Sequence, residues 1–473
     1  MGPDYATPVL DLPMRWVNSA FGQAEAARTT PAAREDARPD LAQWWRSFRD
    51  PLLDALISEA VAGNLDVASA KASIREARAA LRQQNSALLP SLDGGASAAR
   101  SRSNESTRSE FRAGFDALWE VDLFGGNRRS AEAAARGVEV AEADLRATLL
   151  TLIGDVSATY VELRGYQARL ALARRTAASQ RATAALTRTM FDAGSSSALD
   201  VARALAQARS TEATIPTLET SYAQALYRLG VLLGQPPGTL AARLEAVRDI
   251  PVPGRFAGAG LPASILTSRP DVQAAERQLA QATALIGQAE AARYPSISLS
   301  GSLSTSAARI GDLAKSSTIA WSIGPSLNIP IFNGGQLSAA VEGAQAQRDR
   351  YYIAYRAAVL QALEDVESSL VALTQERSRM ARLTDVVAAN REAAQLSRTL
   401  FQTGSSSFLD VLDAERSLYS SEDSLLQSRI AIATDYIALN KALGGGWDGD
   451  VDASRPEIVD ADMGPRLRRA AGR

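Results

Sequence analysis

The chain has 473 residues, of which 22% are charged and 46% hydrophobic, and its formal net charge is −2. This balance offers no electrostatic attraction for a polyanion, so we expect no nucleic-acid partner. Cysteine and histidine are both absent, which removes disulfides, thiolate chemistry and the commonest metal ligand and general base. We therefore expect a protein that is not an enzyme and holds no metal or cofactor.

Residues 1–50 are rich in proline and show little periodicity, so they are predicted to form an extended N-terminal segment. A helical spacing of apolar residues begins at Pro51 and continues to Leu88, and Pro90 ends it. Between residues 91 and 124 the period falls to two, which predicts a β-hairpin. Its apolar positions include Phe111, Phe115 and Trp119.

Residues 127–192 contain no proline and predict one long helix, which would extend roughly 100 Å at about 1.5 Å per residue. A polar turn and a returning helix at 197–233 follow. The elements from 51 to 234 are predicted to form a first structural repeat. Residues 235–262 are rich in proline and glycine and predict a linker.

The same order of elements recurs in residues 263–446, which are predicted to form a second repeat. It consists of a helix, a β-hairpin at 295–332 that contains Trp321, a long helix at 335–402 and a returning helix at 407–443. Residues 447–473 are predicted to be a polar C-terminal tail.

A polar tip between helices occurs twice, starting at Phe191 and again at Phe401, 210 residues later. In each copy a glycine supplies the left-handed backbone that ends one helix, and a serine begins the next helix. An aspartate three residues after that serine can bond back to the cap. The tips are Gly194, Ser195, Ser196 and Ser197, followed by Asp200, and Gly404, Ser405, Ser406 and Ser407, followed by Asp410.

The helix lengths predict a rod with both tips at one end and both hairpins at the other. Each hairpin has one apolar and one polar face, and four strands cannot close a barrel by themselves. If lipid covers the apolar faces and neighbouring copies complete the sheet, every backbone group is paired. Three copies would supply twelve strands. The opposing interpretation is a soluble coiled-coil scaffold whose hairpins pack on its own helices.

Six motifs spread over nearly the whole chain form a specific combination. They are Gly2-Pro3-Asp4-Tyr5, Trp44-Trp45, Asp50-Pro51, Trp119-Glu120-Val121-Asp122-Leu123-Phe124-Gly125, Arg269-Pro270-Asp271-Val272 and Phe408-Leu409-Asp410-Val411-Leu412-Asp413-Ala414-Glu415-Arg416. Together they resemble the outer-membrane efflux channels of the TolC superfamily, most closely the OprM/NodT branch. Many members of that branch carry a lipidated cysteine just before the first motif. Met1 stands near that place, so we expect either a trimmed chain or a member without a lipid anchor.

The resemblance implies a mainly α protein with a β membrane part, folded as a TolC-like trimeric α/β-barrel. A twelve-stranded β-barrel would lie in the outer membrane of a Gram-negative cell, and a long α-helical barrel would cross the periplasm. The implied partners are two further copies of the chain, a periplasmic adaptor protein, an inner-membrane proton-driven transporter and outer-membrane lipid. The expected function is passive export of drugs or other small compounds. A channel of a type I protein secretion system is the alternative.

In the resembled family, charged residues just after the second tip narrow the periplasmic entrance. This implies a gate at Asp410, Asp413 and Arg416, with Asp413 forming an acidic ring in a trimer. The first tip places Asp200 and Arg203 at the positions equivalent to Asp410 and Asp413. Helix capping is an alternative role for the two aspartates Asp200 and Asp410, and an intrahelical pair is an alternative for Asp413 with Arg416.

The resemblance also implies that the tips dock the adaptor, while the alternative is a plain connection between helices. We expect Phe111, Phe115, Trp119 and Trp321 to face the membrane. For the two tryptophans, a place in an interfacial belt and ordinary contact with lipid are equally compatible with the sequence.

Overall fold

The computed structural model describes residues 1–13, 16, 41–103, 106–254, 268–449 and 451–455. Parts of the predicted N-terminal segment, linker, second repeat and tail lie outside these ranges. Within them the α-helices are α1 (Pro51–Gly63), α2 (Leu65–Ser86), α3 (Gly126–Asp192), α4 (Ala198–Leu232), α5 (Ala241–Leu244), α6 (Pro270–Ala291), α7 (Gln336–Gln402) and α8 (Phe408–Ala442). None of these described helices combines the length and the hydropathy that crossing a bilayer requires.

Four strands form one antiparallel sheet in the order β1-β2-β3-β4. They are β1 (Ser91–Ser103), β2 (Ser106–Val121), β3 (Ser296–Ala307) and β4 (Ile319–Asn328). The two predicted hairpins share this sheet because β2 pairs with β3, from Phe111 opposite Ala307 to Val121 opposite Ile297. β4 ends at Asn328, before the predicted end of the second hairpin at residue 332.

The duplication is visible in the lengths of the elements. α3 and α7 each contain 67 residues, α4 and α8 each contain 35, and α2 and α6 each contain 22. α3 starts at residue 126 and α7 at residue 336, which is the same displacement that separates the tips. Each long helix spans about 100 Å.

The prediction of one continuous helix from Pro51 to Leu88 is wrong, because Asn64 separates α1 from α2. Its side-chain Oδ1 accepts hydrogen bonds from the backbone N–H groups of Asp66 and Val67 at 2.8 and 3.0 Å. Its Nδ2 donates to the Leu232 carbonyl at 2.9 Å. Asn64 therefore caps α2 and ties it to the end of α4, which apolar periodicity does not reveal.

The end of the predicted extended segment is folded rather than extended. Residues Leu41–Phe48 form a 3-10 helix that buries Trp44 and Trp45. Trp45 stacks on Trp447 with ring centroids 6.1 Å apart, and Trp44 Nε1 donates to the Gly445 carbonyl at 3.2 Å. Aromatic burial thus holds this segment and the start of the predicted tail at the end of α8.

The predicted linker contains α5 and is fixed to the middle of α3. Arg164 of α3 is fully buried, and its Nη1 donates to the Ala246 carbonyl at 2.8 Å. Gln167 Nε2 donates to the Leu244 carbonyl at 2.7 Å. Two buried polar side chains of one helix therefore determine where the first part of the linker lies.

Candidate functional site

Each tip begins where a long helix ends at a glycine. Gly194 after α3 and Gly404 after α7 have φ angles of 78° and 75°. The N–H of the following residue, Ser195 or Ser405, donates to the carbonyl five positions earlier at 2.8 Å. This is a Schellman motif, and it needs the left-handed backbone that glycine adopts without strain.

A serine starts the second helix of each tip. The backbone N–H of Asp200 donates to Ser197 Oγ at 3.1 Å, and Asp200 Oδ2 accepts from the Ser197 N–H at 3.2 Å. Ser407 and Asp410 form the same reciprocal pair at 3.4 and 3.1 Å. Both aspartates therefore have the capping contacts that the sequence allowed as an alternative to gating.

The second cap has one more short contact than the first. Asp410 Oδ2 accepts from Ser406 Oγ at 2.7 Å, whereas Ser196 Oγ is 3.5 Å from Asp200 Oδ2. Hydrogen bonds from Ser406 and Ser407 hold the pKa of Asp410 below its usual value. The exposed carboxylate of Asp410 is therefore charged and already engaged within its own tip.

The helices that flank the two tips pack against each other through a small apolar cluster. Phe401 and Phe408 meet edge to face with ring centroids 5.7 Å apart. Ala204, Val411 and Leu412 are buried in the same cluster. Ala204 belongs to α4, whereas the other four residues belong to α7 and α8. The cluster therefore fixes α4 relative to the two helices that flank the second tip.

The remaining predicted gate residues, Asp413, Arg416 and Arg203, are exposed. Arg416 Nε donates to Gln207 Oε1 on α4 at 2.6 Å. Arg416 therefore links the two returning helices, α4 and α8. Asp413 lies about one turn beyond Asp410 on α8.

A buried carboxylate near the tips was not identified from the sequence. Glu415 is 5% exposed, and its Oε1 accepts from Arg398 Nε at 2.8 Å and from Thr183 Oγ1 at 3.0 Å. Arg398 Nη2 also donates to Ser179 Oγ at 2.6 Å. This network joins α3, α7 and α8. In the first repeat the equivalent position, 210 residues earlier, is Leu205. This difference between the repeats is the signal in the sequence that could have identified the carboxylate.

The sheet separates apolar from polar residues by face. Phe115 lies opposite Gly94 on β1 and Leu303 on β3, and Leu303 lies opposite Trp321 on β4. The same face, called the outward face below, also carries Phe111, Ala113, Ala117, Trp119, Ile297, Leu299, Ile319, Ile323 and Leu327. The opposite face carries Asp93, Arg112, Asp116, Glu120, Ser302 and Ser322. The predicted aromatic residues therefore all share one face.

Trp119 and Trp321 lie at different levels of this face. Trp119 is near the helical end of the sheet, where its Nε1 donates to the Leu88 carbonyl at 3.1 Å. Trp321 lies at the level of Phe115. On β2, Phe115 is four residues from Trp119 and farther from the helices, a distance of about 13 Å along the strand. The two tryptophans therefore lie at different positions along the strands, and their place in an interfacial belt stays a prediction.

Comparison with known proteins decides the family. The family model described as outer membrane efflux protein matches residues 56–235 and 261–445. The chain belongs to this family. It is 34% identical over 453 residues to nodulation protein T of Rhizobium leguminosarum bv. trifolii, across 95% of this chain and 94% of that protein. It is 32% identical over 447 residues to the pyoverdine export outer membrane protein OpmQ of Pseudomonas aeruginosa, across 92% and 93%.

A solved structure agrees with this assignment. The outer-membrane channel OprN aligns with a TM-score of 0.85 at 33% identity, over 94% of this chain and 99% of that one. The predicted TolC-like fold and the predicted membership of the OprM/NodT branch are confirmed. As an outer membrane efflux protein, the chain is an export channel in the outer membrane of a Gram-negative bacterium.

Proposed function

We propose that three copies of this outer membrane efflux protein form the duct of a tripartite pump that exports drugs or other small compounds. The observation that carries the proposal is the open sheet. Among the described strands, β1 and β4 are each paired on one side only, and Trp321 and Ile323 of the apolar face are 74% and 68% exposed. Neighbouring copies would pair the backbone groups at the strand edges, and lipid would cover the apolar face. This assembly removes the cost of unpaired backbone groups and the cost of apolar side chains in water.

The test is the mass and the detergent dependence of the purified protein. A trimer that stays in solution only with detergent supports the proposal. A monodisperse monomer in plain buffer contradicts it, because such a molecule neither completes the sheet nor contacts lipid.

The proposal includes two protein partners besides the further copies of the chain. A periplasmic adaptor would join the duct to a proton-driven inner-membrane transporter, and the pyoverdine export relative favours a small exported compound. Both tips are uncovered, since a side chain added at Gly194 or Gly404 would meet no atom within 4 Å. This exposure supports adaptor docking at the two tips.

Crosslinking tests the docking. In intact cells, cysteine crosslinkers at Ser196→Cys and Ser406→Cys should capture the adaptor. Thr220→Cys is the matched control, because Thr220 is exposed on α4 about 35 Å from the first tip. Equal capture from Thr220, or no capture from either tip, would exclude docking at the tips.

The gate is proposed at the charged residues that follow the tips. Asp413 would form an acidic ring in the trimer, beside Arg416 and Arg203 and above the caps Asp410 and Asp200. The double variant D413A/R416A should remain trimeric and show a higher single-channel conductance in planar bilayers. Arg209→Ala, on the exposed surface of α4, should leave the conductance unchanged. If the double variant conducts like the wild type, these residues do not gate.

A further inference from the structure

The outward face of the sheet is free of charge over a defined length. From Val121 to Phe111 on β2, and at the residues opposite them on the described parts of β1, β3 and β4, this face carries no charged side chain. Ten residues of strand span about 33 Å. At the tilt of about 40° that membrane strands adopt, this length covers about 25 Å of height, which equals the usual apolar band of such proteins.

Beyond Phe111 the same face becomes basic. Arg100 lies opposite Ser109 and Arg102 lies opposite Thr107, so both arginines share the face of Phe111 and lie farther from the helices. Arg100 is two residues beyond the apolar band, which is about 7 Å along the strand. Both side chains are exposed.

Among the residues that the structure describes, the two arginines have no acidic neighbour on their own face. Among the described residues neither forms an ion pair or a side-chain hydrogen bond, whereas Arg112 on the opposite face pairs with Glu110 at 3.8 Å. A guanidinium group presents several N–H donors in one plane, which suits the oxygens of a phosphate group. Lipid phosphate groups lie just outside the hydrocarbon. If the apolar band lies in the hydrocarbon, Arg100 and Arg102 stand at the level of these phosphates.

We propose that Arg100 and Arg102 bind the phosphate groups of an anionic outer-leaflet lipid whose acyl chains lie along the apolar band. This rests on the proposal that the outward face contacts lipid. Charge complementarity and continuity with the apolar band both favour a lipid as the occupant. The pair would also fix the height of the sheet in the membrane, since the arginines remain at the level of the phosphates.

The test uses the purified trimer in detergent and native mass spectrometry. The probes are diphosphorylated lipid A and the same lipid A with both phosphates removed, and the wild type should bind the diphosphorylated form more tightly. The variant R100Q/R102Q should weaken this binding roughly 10- to 30-fold, because one basic residue near an anionic lipid surface contributes roughly a factor of five. Binding of the dephosphorylated form should not change. The variant R100K/R102K keeps the charge but loses the planar donors, so it should retain more affinity than R100Q/R102Q and less than the wild type.

Arg108→Gln is the matched control. Arg108 lies opposite Ser101, between the levels of Arg100 and Arg102 but on the other face of the sheet, so its loss should have no effect. The proposal is overturned if the wild type binds both lipids equally, if Arg108→Gln loses as much affinity as the pair, or if millimolar inorganic phosphate displaces the lipid completely. If neither lipid binds, the proposed lipid contact itself fails, whereas equal binding of both refutes only the arginine site.

Discussion

The long helices α3 and α7 have the same length and end in the same kind of tip, yet they are buried to very different extents. In α3, 23 of the 67 residues are buried, whereas in α7 only 9 of 67 are. α3 packs on α1, α2, α4, α6 and α8, while α7 packs mainly on α6 and α8. One chain therefore completes the surroundings of its first long helix and leaves much of the second uncovered.

The uncovered part of α7 includes large apolar side chains. Ile353 is 66% and Leu360 is 63% exposed, and a spacing of seven places them on one stripe of the helix. Exposed apolar stripes of this kind mark surfaces that bind a partner. This contrast supports the proposal that copies of the chain cover each other's α7.

The largest effect is expected from a variant that disrupts this contact between copies. The variant I353E/L360E places two charges on the uncovered stripe and should convert the trimer into monomers, because burying unpaired carboxylates is costly. Light scattering of the protein in detergent measures the mass. The control I353V/L360M keeps the stripe apolar and should stay trimeric. A trimer of wild-type stability in I353E/L360E would show that this stripe lies outside the interface.

A smaller effect compares one position in the two repeats. Arg164 in α3 corresponds to Thr374 in α7, 210 positions later. Arg164→Ala should lower the free energy of unfolding by about 2 kcal/mol, because the Ala246 carbonyl loses the charged donor that the buried Arg164 supplies. Thr374→Ala should change it by less than about 0.5 kcal/mol, since the Thr374 Oγ1 hydrogen bond found among the described residues goes to the Leu370 carbonyl of its own helix.

The shift of the thermal unfolding midpoint in detergent measures both substitutions. Arg164 Nε and Nη2 have no hydrogen-bond partner among the described residues, so their burial offsets part of the benefit of Nη1. Arg164→Met, which keeps much of the side-chain volume, should therefore cost less than Arg164→Ala. Equal effects at Arg164 and Thr374 would refute the role assigned to the arginine in holding the linker.

The smallest expected effect is a change with pH in the stability of the helix cap at the second tip. The pKa of Asp410 is lowered in the folded state by the hydroxyl groups of Ser406 and Ser407. Its cap therefore contributes stability above the unfolded pKa of about 4, and this contribution is lost as the pH falls through the lower folded value. Hydrogen exchange, corrected for the intrinsic rate, should show reduced protection at the start of α8 below about pH 4.

Two substitutions sharpen this prediction. Asp410→Asn should remove the pH dependence at the start of α8, and Ser406→Ala should reduce it. Ser196→Ala is the matched change in the first tip, and it should alter protection less because Ser196 Oγ is 3.5 Å from Asp200 Oδ2. An unchanged pH dependence in Asp410→Asn would mean that another group titrates there.

The sequence predicts the features that depend on neighbouring residues. Gly404, Ser407 and Asp410 lie within seven positions, and their backbone requirements define the end of one helix and the start of the next. The strands are equally local, because alternation along β3 needs only the residues of that strand. The need for further copies follows from strands that cannot close a barrel by themselves, whereas the specific partners are implied by the resemblance to a family.

The features that the sequence did not predict depend on distant partners. Glu415 is buried because Arg398 and Thr183 reach it from two other helices, and periodicity along α8 does not show this. Asn64 interrupts a helical pattern because its amide also binds the carbonyl of Leu232. In both cases a polar side chain is satisfied by a group far away in the chain.

The stacked pair Trp45 and Trp447 has a consequence for biosynthesis. The two indoles are 402 positions apart, so the ring that covers Trp45 becomes available only after the long stretch between them has been made. Contacts between such distant positions form late because a long loop must close first. A product truncated before Trp447 would lack this stacking partner, so the 3-10 helix at Leu41–Phe48 can reach its final order only after position 447 has been translated.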